Sequence, residues 1–215
     1  MLVLLCFAGC TQVVAFVAIA PTAVHFGSVA YQSVEKAEID VVVSQSAAKE
    51  DLGAITHIAI FMGGESTTRP YGRIGDLASV VGDNLCVELT RLGFQVYGWN
   101  ELKKSAEGAT TTDRMVQSGR ALGAQAIITG SVTAGYTRSF GMFGVGRFKT
   151  VVQSATLKVI DVKTADLLIM ITINYKVGQN PKVAAEGMAM VLQTKMEDPS
   201  GDLKKKLEEK VKEKV

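Results

Sequence analysis

The hydrophobic positions of this 215-residue chain fall into periodic blocks separated by polar or glycine-rich breaks. His57-Ile58-Ala59-Ile60-Phe61-Met62 predicts a strand, stopped by Gly63-Gly64. Ile74–Leu92 places Leu77, Val81, Leu85, Leu89 and Leu92 on one helical face, with Val80 and Glu88 at its edges. Gly93 stands where a C-terminal cap is expected. Phe94–Tyr97 predicts a short strand with Trp99 packed over its end. Thr110-Thr111-Thr112-Asp113 offers N-cap oxygens to a second helix over Met115–Leu122, ended by Gly123. Ala126–Val132 predicts an apolar strand running towards Tyr136, and Val151–Val162 and Leu167–Tyr175 predict two more around a turn at Asp161–Asp166. A further helix begins at Pro181, whose fixed φ suits a first turn. Val183, Gly187, Met188, Val191 and Lys195 lie along one side of it, with Ala184 and Leu192 adjoining. Beyond the break at Pro199-Ser200-Gly201, Leu203, Leu207, Val211 and Val215 make a thin stripe amid Lys and Glu, a short frayed helix.

The order from Thr56 is therefore β-α-β-α-β-β-β-α, an α/β (α+β) class with a mixed central sheet. Helix crossovers join parallel neighbours, while the last strands favour antiparallel hairpins. One domain is expected over residues 55–198, followed by a charged helix or tail over 199–215. Residues 10–54 read as an N-terminal segment and linker in which Ile39–Val43 is a candidate strand.

Charge changes this picture mainly at the two ends. Residues 1–34 contain no Asp, Glu, Lys or Arg, whereas the last thirteen hold six Lys and three Glu. Overall, 23 basic residues against 21 acidic ones exert no bulk attraction on nucleic acid. The start, with Ala8-Gly9-Cys10 closing a short apolar run, resembles the processing site of bacterial lipoproteins. That resemblance implies a signal peptide over residues 1–9 and lipid on the Cys10 thiol, with membrane attachment growing by about 0.8 kcal/mol per buried methylene. Two features depart from the pattern: no Lys or Arg precedes the run, and Phe7 stands where Leu is favoured. Alternative readings make Met1–Ala20 a conventional signal or a short membrane span, or an inward-packed element of a soluble protein.

Candidate chemistry is thin. Cys86 sits in a helical pattern and reads as a small core residue. His25 and His57 lie in apolar surroundings and read as core or interface histidines. Gly141–Gly146 is glycine-rich but lacks the Lys-Ser/Thr ending of a phosphate loop and lies between strands. Asp161 and Asp166 read as turn residues, and neither a Ser-His-Asp set nor zinc-ligand spacing stands out. No catalytic residue, metal ligand or cofactor is assigned. Two contact loops are candidates: Glu65–Arg73, with Thr67, Thr68, Arg69 and Tyr71 in it, and the apolar segment bearing Phe140, Met142, Phe143 and Val145. Four large apolar groups in one loop are costly to expose unless they meet a partner, a lipid or their own core.

Several stretches carry a family resemblance over roughly residues 55–195. They are Ile58–Met62, Leu92-Gly93-Phe94, Gly98-Trp99-Asn100-Glu101-Leu102, the Arg120–Val132 run and the Leu157–Asp166 hairpin. They resemble the superfamily of the curli secretion channel lipoprotein and the lipoprotein activators of penicillin-binding proteins, with a fold similar to the TolB N-terminal and anticodon-binding-like domains. The resemblance implies scaffold positions and no catalytic ones. The curli channel has a second long insertion; here Tyr175 reaches Pro181 in a few residues. Thr133–Thr150 offers one poor membrane hairpin, interrupted by Arg138, Arg147 and Lys149.

The expectation is thus a non-catalytic lipoprotein facing the periplasm, outer-membrane placement being preferred. It binds another envelope protein as adaptor, assembly factor or regulator. The alternatives are a homo-oligomeric secretion or pore component and, below that, a nucleotide-binding protein or enzyme. Mass spectrometry of the mature N-terminus is expected to find diacylglycerol on Cys10, and Cys10→Ala to abolish palmitate labelling. An unmodified Cys10 in processed protein refutes the anchor.

Overall fold

A computed structural model describes residues 28–47, 51–65, 75–98, 112–140 and 146–212. Helix α1 (Ser28–Glu35) leads into strand β1 (Glu38–Val43), a 3-10 turn (Leu52–Ala54) and β2 (His57–Glu65). Then come α2 (Gly75–Arg91), β3 (Gln95–Tyr97), α3 (Thr112–Ala121), β4 (Ala126–Phe140), β5 (Gly146–Asp161), β6 (Leu167–Gln179), α4 (Pro181–Glu197) and α5 (Leu203–Lys212). From β2 to α4 the order is the one the periodicity predicts.

The six strands form one mixed sheet in the order β1-β6-β5-β4-β2-β3. β2 runs parallel to both β3 and β4, and β4, β5, β6 and β1 are successively antiparallel. β1 is an edge strand, with Ile39 opposite Ile173 and Val41 opposite Ile171. Ala30 and Val34 of α1 are buried, as is Leu52, so apolar packing reaches back before Thr56.

One face of the sheet is covered by α1, α2 and α4. Leu77, Val81, Leu85 and Leu89 of α2 are buried there against Ile58, Ile60 and Ile128, the helical face read from their spacing. α4 departs from its expected one-sided pattern. Twelve of its seventeen residues are buried, Ala185, Ala189 and Met190 among them, because the sheet, α1 and α2 enclose it. Its start is capped by Asn180, whose side-chain oxygen accepts from Val183 N at 2.9 Å. At Gly187 the helices come so close that a Cβ would lie 2.6 Å from Val34 Cγ2. Among the described elements only α3 packs on the opposite face, where Val116 joins Ala59, Phe61, Ile127 and Ile160.

The terminators work as their residue types require. Gly93 (φ 94°) and Gly123 (φ 76°) are left-handed. Phe94 N donates to Leu89 O and Gly93 N to Thr90 O, and Ala124 N and Gly123 N repeat that pattern on Gly119 O and Arg120 O. In the β5–β6 turn Thr164 N donates to the Asp161 carboxylate at 2.6 Å, and Asp166 N to Thr164 Oγ1 at 3.2 Å. Arg120 donates across to Val162 O at 2.7 Å, tying α3 to that turn.

α5 is held more lightly. Leu207 is buried, Lys206 Nζ lies 2.6 Å from the Asp198 carboxylate, and the buried Lys195 donates to Gly201 O at 2.8 Å. The hydrogen bond from Lys206 holds the Asp198 carboxyl below its ordinary value of 3.8.

Two outcomes follow from this packing. Gly187→Val drives a branched side chain into Val34 and is expected to cost about 1–3 kcal/mol, measured by urea denaturation. A carboxyl lowered in the folded state stabilises α5 docking at pH above the ordinary carboxylate value and loses that effect as pH falls below it. The protection of amides across residues 203–212, taken relative to the intrinsic exchange rate at each pH, is therefore expected to fall as acid protonates Asp198, and Asp198→Asn to remove that pH dependence.

Candidate partner-binding surfaces

The sheet's long hairpin outruns its neighbours. β2 accompanies β4 as far as the pair Glu65–Thr133, and β6 accompanies β5 only to Val152–Gln179. Beyond those limits β4 and β5 continue alone, from Gly135–Val151 to Phe140–Gly146. The six residues Gly135–Phe140 extend about 20 Å at roughly 3.4 Å per residue. At the base both ladders shift register around Gln153, between Thr133 and Ala134 on one side and between Val152 and Ser154 on the other. Such irregularities redirect a strand pair. The base is packed, with Ala134, Val151 and Val152 buried. Further out, Lys149 and Thr150 are exposed, and the buried Tyr136 hydroxyl has no hydrogen-bond partner among the described residues.

The charge on this ribbon is of one sign. Between Asp113 and Asp161 the chain has no acidic residue, while Arg114, Arg120, Arg138, Arg147, Lys149 and Lys158 are basic. In the ribbon register Arg138 is opposite Phe148, Arg147 opposite Ser139, and Lys149 opposite Thr137. No cation is thus directly opposite another, which spares the pairing the repulsion of like charges across strands. A lone two-stranded ribbon is marginally stable in water. Its cations complement an anionic counter-surface.

A second surface lies between the chain's first and last described helices. α1 and α5 flank a groove of about 420 Å³ lined by Tyr31, Val34, Ile39, Leu203 and Leu207, with Glu35 and Glu208 beside it. Burial first, then the charges of Glu35 and Glu208, raises the Tyr31 phenol above its ordinary value. Sequence reading missed this groove; its one signal was the Leu203–Leu207 stripe, which needed α1 beside it to become a cleft.

Of the contact residues chosen from sequence, Phe140 ends β4. Met142, Phe143 and Val145 lie outside the described residues, as do Thr67, Thr68, Arg69, Tyr71 and the lipid-bearing candidate Cys10. The topology relates the two loops: residues 66–74 follow Glu65, whose partner Thr133 is at the root of the ribbon. Glu65, the last residue of β2, therefore lies at the end of the sheet from which the ribbon departs.

The remaining candidates take structural positions. His57, expected in the core or at an interface, is half-buried at the start of β2, with Nδ1 2.9 Å from Thr56 Oγ1, and lies outside the core. The reason is its place at the sheet's end, beside the Gln125 side chain that accepts from Thr56 N at 2.7 Å and His57 N at 3.1 Å. Cys86, on α2, is half-buried and packs against the core. Among the described residues no group of three or more His, Cys, Asp or Glu could hold a metal, and no helix is long and apolar enough to cross a membrane.

No protein-family model matches the chain. No curated protein matches it. Similar solved structures include the PelC dodecamer from Paraburkholderia phytofirmans, at TM-score 0.39 and 17% identity over 73% of this chain and 95% of that one. The LpoB C-terminal domain from Salmonella enterica aligns at TM-score 0.39 and 11% identity, over 62% of this chain and 96% of that one. E. coli LpoB, solved by NMR, aligns at TM-score 0.39 and 12% identity, over 67% and 68%. Among its described residues this chain is a mixed α/β domain with a six-stranded sheet and five α-helices.

Proposed function

We propose that this chain is a non-catalytic, lipid-anchored lipoprotein of the bacterial envelope that binds another envelope protein as an adaptor, assembly factor or regulator. Cys10 would carry the anchor, with the domain facing the periplasm and the outer membrane as its site. The observation carrying the binding role is the acid-free β4–β5 ribbon, which leaves a well-packed sheet and carries Arg138, Arg147 and Lys149 on its two strands. Phe140, Met142, Phe143 and Val145 at its end, and Thr67, Thr68, Arg69 and Tyr71 in the segment launched beside it, are the proposed contacts. Cations steer an acidic partner and set its orientation, while apolar groups desolvated in the contact supply most of its free energy.

The second reading is a homo-oligomeric secretion or pore component. The hairpin itself is the feature that favours it. However, the paired positions beyond the neighbouring strands run only from Gly135 to Phe140, six residues. A membrane strand takes about 9–11, and cations facing lipid are costly. Ribbon length and charge therefore favour docking on a protein.

The test is cross-linking and capture from membranes with the native chain and with Arg138→Glu/Arg147→Glu/Lys149→Glu. The native chain is expected to recover a partner whose yield falls at least about tenfold in the variant, at unchanged thermal stability. Equal recovery refutes the ribbon's role. Detergent-extracted protein that is oligomeric and conducts ions establishes the second reading in its place.

A further inference from the structure

The groove between α1 and α5 has an apolar floor and an acidic rim. Val34 and Leu207 are buried at its base, Tyr31, Ile39 and Leu203 are half-buried above them, and Glu35, Asp202 and Glu208 are exposed around it. Among the described residues Lys204 is the one cation lining it. Three carboxylates against one ammonium leave a net charge of −2 at neutral pH. The Asp202 carboxylate caps α5, accepting from Lys204 N at 3.0 Å, so the unengaged share of that charge rests with Glu35 and Glu208, one on each helix. Both act on the same Tyr31 phenol, which places their fields over one point of the cleft.

We propose that this groove is a docking site for a basic amphipathic helix of a partner protein. The geometry is that of two helices flanking an apolar trough, into which a third helix lays side chains at i, i+3 or i+4 and i+7. Charge selects among occupants. An acidic helix meets like charge on both walls, whereas lysines flanking an apolar stripe meet Glu35 on one side and Glu208 on the other. This site is separate from the cationic ribbon and takes the opposite charge, so one chain would hold an acidic and a basic surface at once. The inference rests on the reading of the chain as a binding protein, but its test does not involve the ribbon.

The probes are two labelled synthetic helices about four turns long, both with leucines at i, i+4 and i+7, one flanked by lysines and one by glutamates. Each is titrated by fluorescence anisotropy with the full chain in non-ionic detergent, native or Glu35→Lys/Glu208→Lys. Both substituted residues are exposed, so the fold is expected to be retained. The lysine peptide is expected to bind the native chain and to weaken about tenfold or more on the double variant, while the glutamate peptide gains affinity for the variant. Equal binding of the lysine peptide to both chains overturns the proposal, as does failure of both peptides to bind. A native chain that sediments as a dimer, and becomes monomeric in the double variant, identifies a second copy as the occupant and overturns it as well. None of these results changes ribbon-dependent capture.

Discussion

The enclosure of α4 organises the molecule. A helix buried around most of its circumference needs apolar surface on every side, and here the sheet, α1 and α2 supply it. Small residues make the enclosure geometrically feasible, since Ala184, Ala185, Gly187 and Ala189 let neighbours approach closely. The polar groups drawn in are satisfied. Thr194 donates to Met190 O at 2.8 Å, Lys195 reaches the carbonyls of the following turn, and the Tyr175 hydroxyl donates to Ala184 O at 3.3 Å. Burial raises that phenol far above its ordinary range, so it stays a neutral donor.

Among the described residues the other face of the sheet is more lightly covered. α3 shields Ala59, Phe61, Ile127 and Ile160, while the register row Asp40, Thr172, Thr156 and Ser131 carries polar side chains. An antiparallel sheet tolerates that asymmetry because its alternation puts short polar groups towards water. The two proposed interaction surfaces fall where the layers end. The β4–β5 ribbon leaves at one end of the sheet, and the α1–α5 groove forms where the first and last described helices meet. Their opposite charges are local properties that the near-neutral total of the chain conceals.

Legibility in the sequence varied with how local each signal was. The α2 face, the glycine caps at Gly93 and Gly123, and the Asp161–Asp166 turn depend on spacing and backbone preference over a few residues, and they read directly. α4 was read as more one-sided than it is, because its polar stripe of Lys182, Glu186, Gln193 and Glu197 is narrow and the rest of its circumference is buried. α1 escaped notice: its buried stripe of Ala30, Ser33 and Val34 is short and lacks an acidic first turn or a basic last turn. β1 was recognisable as apolar alternation, but its place beside β6 is a long-range pairing. The ribbon's full length was hidden too, since Arg138, Arg147 and Lys149 break the apolar pattern where cross-strand bonds carry the pairing on.

From the sequence alone came the class of fold, the order of elements from β2 to α4, their terminators and the resemblance around Cys10. These rest on hydrophobic period, φ preference and short motifs, all properties of neighbouring residues. Only the tertiary structure decided that residues 28–47 contribute to the core, that the hairpin outruns its sheet, and that two helices from opposite ends of the chain enclose an acid-rimmed groove. Each of those depends on which distant surfaces bury one another. Strand register and helix packing settle that together, through contacts no local window contains.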